Sequence, residues 1–187
     1  MRIHFAFLAV VSLVLQSAAQ QSANSPQPAI SLNQVYAGFV GEWVGQLEYR
    51  DFSDNTRALL PTWLRVSYSA DGRSLQFAYV YDDGPNKIVK EMVLVSIDTK
   101  AATASFSSNR DHSTDTYNVA GLPEFSKAGR GTLTLTGNGS ENGEQVDVRI
   151  TITLRRNHYA YQKETRAPGR EFAFRDGYAL TRKQAPE

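Results

Sequence analysis

Cysteine is absent from all 187 residues. Disulfide frameworks, thiolate metal sites and cysteine nucleophiles are therefore excluded, as is the cysteine-bearing exit signal of a lipid-anchored bacterial protein. There are three histidines, too few and too scattered for a transition-metal site. The Asp111-His112-Ser113-Thr114-Asp115 stretch holds one imidazole and two carboxylates in no established ligand spacing, and His158 follows Arg155-Arg156-Asn157 at a hairpin. No metal and no cofactor are expected. An excess of charge is also missing: 20 Lys and Arg against 19 Asp and Glu leave a formal charge of +1, which provides no general attraction to nucleic acid. Gly-x-Ser-x-Gly elbows, His-Glu-x-x-His runs and glycine-rich phosphate loops ahead of a helix do not occur. No catalytic residue is nominated, and Glu48, Glu91 and Glu164 each read as the outer face of a strand.

The longest apolar run, Phe5 to Leu15, is too short for a comfortable membrane span. It follows a positive Met-Arg start and ends at Gln16-Ser17-Ala18-Ala19, the pattern of a secretory signal peptide. Residues 1–19 are read as that signal, 20–30 as a flexible tether rich in Gln, Ser, Asn and Pro, 31–183 as one domain, and 184–187 as a tail. Export to a periplasm or the exterior is expected, from a bacterial host, with no membrane anchor in the mature form.

Within the domain, Ser31 caps a short helix in which Leu32, Val35, Tyr36 and Phe39 recur at helical spacing up to Gly41. After that the period changes to two. Alternating runs span Trp43 to about Phe52, Pro61 to Ala70, Ser74 to Tyr81, Lys87 to Asp98, Ala102 to Ser108, Thr114 to Ala120 and Gly131 to Thr136. Three more follow at Val146 to Leu154, Tyr159 to Thr165 and Phe172 to Thr181, the last with a break at Asp176-Gly177. Asp71-Gly72 is a two-residue hairpin turn. The stretch around Gly121, Pro123 and Gly129 reads as a loop, and Gly137 to Gly143 as a polar connection outside the sheet. The most regular strand alternates Val146, Val148, Ile150, Ile152 and Leu154 with Asp147, Arg149, Thr151 and Thr153, one dry face and one wet. An all-β antiparallel up-and-down barrel of about 8–10 strands, with one short N-terminal helix, is the fold that hides such edges.

Phe39-Val40-Gly41-Glu42-Trp43, a helical turn running into the first strand, resembles the Gly-x-Trp opening of the lipocalin and fatty-acid-binding (calycin) barrels. The layout is similar too: a short helix, consecutive hairpins, and a last strand returning beside the first. The resemblance implies that Trp43 plugs the closed end, with Arg182 laid over it as a barrel-closing pair. Ten strands bring the fatty-acid-binding and nitrobindin-like types nearest. The haem-binding nitrobindins carry a late histidine, whereas the latest here is His158, so haem is not expected.

In a barrel of this size the inward residues either fill the interior or line a cavity. The proposed inward set is rich in rings with a polar tip: Tyr49, Tyr68, Phe77, Tyr79, Tyr81, Tyr117, Tyr159 and Tyr161. Buried hydroxyls need partners, so several in one space point to a hydrated cavity or to a ligand that accepts hydrogen bonds; the plain alternative is ordinary core. Trp63 and Arg65 have the opposite parity and read as outward, and Leu59-Leu60-Pro61 reads as part of a mouth. The leading expectation is an exported protein holding a small apolar or amphipathic molecule, lipid-like or aromatic. The alternatives are an enzyme on the same barrel, of decarboxylase or cyclase type, and a filled, ligand-free interaction or stress module. An acid, an arginine and two tyrosines converging in one pocket, such as Tyr79 and Tyr81 with Glu91 or Arg65, would favour the enzyme.

Overall fold

A computed structural model describes residues 30–184 apart from 52, 53 and 55. The signal peptide, almost all of the tether and the last three residues of the tail lie outside the described residues. Along the chain the elements are α1 (Leu32–Phe39), β1 (Gly41–Arg50), β2 (Arg57–Tyr68), β3 (Ser74–Asp82), β4 (Ile88–Asp98), β5 (Thr103–Ser108) and β6 (Thr114–Ala120). Then come α2 (Leu122–Ala128), β7 (Gly131–Glu141), β8 (Glu144–Leu154), β9 (His158–Arg166) and β10 (Ala173–Arg182). The ten strands pair antiparallel with their sequence neighbours, and β1 closes on β10 with Trp43 opposite Arg182. The expected up-and-down barrel is the fold.

Strand alternation positions the core. Val146, Val148, Ile150, Ile152 and Leu154 of β8 are all buried and meet the inward rows of β3 and β7 across one interior. Because strands alternate in direction, the turns β2–β3, β4–β5 and β8–β9 gather at one end with both helices, while hairpins such as β3–β4 and β7–β8 rim the other. The helical end is closed. Ser31 caps α1, accepting from Gln34 N–H at 3.4 Å, and Val35, Tyr36 and Phe39 are buried. From α1 the Tyr36 hydroxyl donates to Arg73 O at 3.0 Å and accepts from Ile97 N–H at 3.1 Å, tying the plug to two strand turns.

Four segments depart from the expectation. The β2–β3 connection is longer than a two-residue turn at Asp71-Gly72: β2 ends at Tyr68, β3 starts at Ser74, and the Gly72 N–H donates to Ser69 O at 2.9 Å. Gly121 to Gly129 is not a loop but contains α2, begun by a proline in its first turn and ended by Gly129 at φ 61°; both are helix-boundary signals that compete with a turn reading. Leu122 and Phe125 are buried from it, and Phe125 stacks on Phe39 at 5.5 Å. The Gly137 to Glu141 stretch belongs to the sheet: β7 continues to Glu141 and only Asn142-Gly143 turn. Glycine suits this site because a Cβ at Gly137 would come to 2.8 Å from the Tyr117 ring. Finally, β2 starts at Arg57, so Leu59-Leu60-Pro61 is strand. Pro61 has no N–H for the ladder. Beside it the buried Thr62 hydroxyl accepts from Leu47 N–H at 3.1 Å and donates to Leu60 O at 2.9 Å.

Candidate functional site

Alternation sends one side chain in two to the interior, and the size of those side chains decides whether the interior fills. Here it does not: a hollow of about 230 Å³ runs from α1 toward the rim. Its floor is apolar, with Phe39, Leu75, Val119 and Leu133, and its waist carries Phe77, Tyr79, Ile150, Tyr159 and Tyr161. Toward the rim stand Tyr178, Glu91, Lys163, Asp176 and Asp115.

Below the floor, Trp43 and Arg182 form a fixed closure. Trp43 is 1% exposed and donates Nε1–H to Phe39 O at 2.9 Å. The Arg182 guanidinium lies over the indole at 4.1 Å and donates to Val40 O at 2.7 Å, Gly38 O at 2.9 Å and Arg156 O at 3.1 Å. One side chain thereby satisfies carbonyls at the end of α1 and in the β8–β9 turn.

The tyrosines form a stack. Tyr79 packs on Tyr81, 5.7 Å away with planes at 6°, and on Tyr178, 5.1 Å away; Tyr81 and Tyr178 are themselves 6.5 Å apart, and Tyr161 meets Tyr178 edge-on at 5.5 Å. The Tyr81 and Tyr178 hydroxyls are 2.8 Å apart, and Tyr81 donates to Glu91 Oε2 at 3.4 Å. Glu91 also accepts from the Ser108 hydroxyl at 3.1 Å. Burial holds the Tyr79, Tyr81, Tyr159, Tyr161 and Tyr178 hydroxyls well above the usual tyrosine range, since the phenolate loses water's solvation. They stay neutral donors.

Asp176 is placed by a bulge. The β10–β9 register shifts between Phe174 and Asp176, so Arg175 is the extra residue. Inward alternation resumes at Asp176, opposite Lys163. Enclosed by protein yet facing the hollow, its carboxyl is pushed up to about 6, primarily by burial and secondarily by the Glu141 and Glu91 charges, against the pull of Lys163 and Arg175. Arg175 is itself held by Glu141 at 3.3 Å and by Arg50 O at 2.6 Å.

Of the eight ring residues expected inside, Phe77, Tyr79, Tyr117, Tyr159 and Tyr161 line the hollow. Tyr81 is buried directly behind it. Tyr49 and Tyr68 are corrections. Tyr68 has inward parity but sits where β2 leaves the barrel, 42% exposed against Tyr36, and Tyr49 is half-buried in β1 near the other end, outside the lining. Glu91 is a correction in the other direction, since it faces in; Glu48 and Glu164 face out, paired with Arg57 at 2.6 Å and Arg149 at 2.8 Å. Sequence reasoning also missed Tyr178, Lys163 and Asp176 as lining residues. The parity shared by Tyr178, Leu180 and Arg182 was the available signal for the first. Trp63 is 46% exposed, and Arg65 lies outside on Glu42 at 2.6 Å. Two tyrosines and an acid thus converge without the arginine. Among the described residues no group of three or more His, Cys, Asp and Glu is arranged to hold a metal ion, and no helix is long and apolar enough to cross a membrane.

No family model and no curated protein matches this sequence. Among solved structures, the barrel is similar to an S-type phycobiliprotein lyase, CPES, from Guillardia theta. The TM-score is 0.54 at 7% identity, over 84% of this chain and 94% of that one. At such identity the likeness is one of fold.

Proposed function

We propose that this protein is an exported binder of a small amphipathic molecule, held with its apolar part on the barrel floor and its polar part among the tyrosine hydroxyls. The observation that carries this reading is the hollow itself, apolar below and hydrogen-bonding above. At about 230 Å³ it lies below the ~300–1,000 Å³ common for drug-sized ligands, which favours a short chain or a single ring system. Burial of the apolar part supplies affinity at about 25 cal/mol per Å², and buried hydroxyls impose orientation because leaving one unpaired costs ~1–3 kcal/mol. The likeness to a phycobiliprotein lyase is compatible with small-molecule binding and selects no ligand.

Export rests on the Phe5 to Leu15 run ahead of Ser17-Ala18-Ala19; N-terminal sequencing of protein recovered outside the cytoplasm should begin at Gln20. For binding, uptake of a short fluorescent fatty-acid probe is measured alongside native mass spectrometry of the purified chain. One probe per chain, displaced by unlabelled amphiphiles, is expected. A barrel that takes up no probe and carries no extractable adduct would remove the reading. An enzyme on the same barrel draws on the convergence of Tyr79, Tyr81 and Glu91, but Arg65, needed to complete that cluster, is on the outer wall.

A further inference from the structure

The charges that line the hollow do not follow those of the chain. Overall the protein is +1, yet the lining holds Glu91, Asp111, Asp115 and Asp176 against Lys163 alone. The other inward cation, Arg175, is taken by Glu141, which also accepts from the Thr165 hydroxyl at 3.1 Å. Asp176 is half-buried in the upper part of the hollow. It faces the hollow, and no ion pair or side-chain hydrogen bond reaches it among the described residues. A buried carboxylate without a donor costs several kcal/mol unless something supplies the missing charge.

Beside it stand aromatic faces. The Tyr178 ring stacks on Tyr79 at 5.1 Å and meets Tyr161 edge-on at 5.5 Å, at the level where the carboxylates begin. Ring faces are negative, and their attraction for a cation strengthens as water is excluded. Since the buried phenols stay neutral, they add this quadrupole without adding charge. A half-buried carboxylate on Asp176 that no side chain hydrogen-bonds, a second carboxylate on Glu91 and the neighbouring tyrosine rings all act on the same chemistry, a positive charge bearing N–H donors. Carboxylate-headed lipids fit badly, for they would meet four acids across one lysine.

We propose that the ligand is an amphipathic amine, its protonated nitrogen lodged between Asp176, Glu91 and the Tyr79–Tyr178–Tyr161 rings and its apolar part directed down to Leu75, Phe77 and Leu133. This rests on the reading that the hollow is a binding site and adds the sign of the headgroup. An amine in the pocket would be held by charge-assisted hydrogen bonds at the head and by burial along the body.

Octylamine, octanol and octanoate share one chain and differ in head charge, so calorimetric titration of the full chain with each at about pH 7.5 separates headgroup from hollow. Octylamine should bind about tenfold or more tightly than octanol, with octanoate weakest. In Asp176→Asn, checked for folding by circular dichroism, that preference should shrink to about twofold while octanol binding is kept, and Glu91→Gln should reduce it partially. Octylamine stays protonated throughout the acidic range, so its affinity for the native chain should fall as Asp176 takes up a proton toward about pH 5. Lys163, Glu141, Glu91 and Asp115 face Asp176 from β9, β7, β4 and β6, Arg175 adjoins it and Tyr49 pairs with it from β1. The pH effect is accordingly read as the difference between the native chain and Asp176→Asn. Octanol or octanoate binding as tightly as octylamine, or both variants keeping the full preference, would overturn the amine and leave the hollow a binding site. If none of the three binds, both readings fall together.

Discussion

Replacing Asp176 with asparagine should stabilise the protein above neutrality and leave its stability unchanged in acid. The folded carboxyl sits at about 6 against an ordinary value of 3.8, a gap of roughly 2 pH units, or about 3 kcal/mol at 1.36 kcal/mol per unit. The folded state therefore holds the proton more tightly than the unfolded chain does, and ionisation weighs on the fold. The penalty is absent below about pH 3.8, grows through the interval and is complete above about pH 6. Asparagine mimics the protonated acid, so the variant avoids the penalty at every pH. For a domain of this size 1 kcal/mol moves Tm by about 2–4 °C, which gives Asp176→Asn a gain of roughly 6–12 °C at about pH 7.5 and almost none at about pH 3.5. Differential scanning calorimetry of both proteins at the two pH values is the assay. A variant no more stable than the parent near neutrality, or a gain equal at both pH values, would refute the claim that desolvation of Asp176 outweighs the attraction of Lys163 and Arg175. A residue that costs the fold this much fits a site kept for binding rather than for stability.

Arg182→Met keeps much of the aliphatic stem but loses the guanidinium over Trp43 and the donors to three carbonyls; urea unfolding should show a loss of about 2–4 kcal/mol. Gly38→Ala would drive a Cβ into the Gly129 carbonyl where α1 crosses the end of α2, and should cost more than about 2 kcal/mol. Gly72→Ala, with open space around it but φ at +67°, should cost about 1 kcal/mol by the same measurement. Val93→Phe, a half-buried lining position, should fill the hollow and abolish probe uptake while lowering stability by less than about 3 kcal/mol; undiminished uptake would place the probe elsewhere.

Alternation was most legible where the two faces of a strand differ sharply in polarity. In β8 every second residue is Val, Ile or Leu and the intervening ones are polar, so the inward row follows from the period alone. The β2–β3 hairpin was likewise local in place but not in turn type: Gly72 takes the left-handed backbone at φ +67°, yet its N–H closes a turn on Ser69 O, in a loop longer than the two residues expected. In β4 both rows are mixed. Ile88, Met92 and Leu94 lie outward at 55%, 40% and 42% exposure, while Val89, Glu91 and Val93 lie inward, so nothing local reveals which row is inside. Glu91 was placed on the outer wall for that reason. Tyr68 shows the complementary limit: its parity is inward, but parity carries no height along the barrel, and at the end of β2 there is no interior left to enter.

The chain by itself determined the strands, their wet and dry faces in the clear cases and the helix that opens the domain, because these depend on residues within a few positions of one another. Closure of β1 on β10, the bulge at Arg175 that turns Asp176 inward, and the meeting of Tyr81 with Tyr178 across 97 positions were decided only by the tertiary structure. A hollow is a difference between the volume a closed sheet encloses and the side chains sent into it, and that difference exists only once all ten strands have closed.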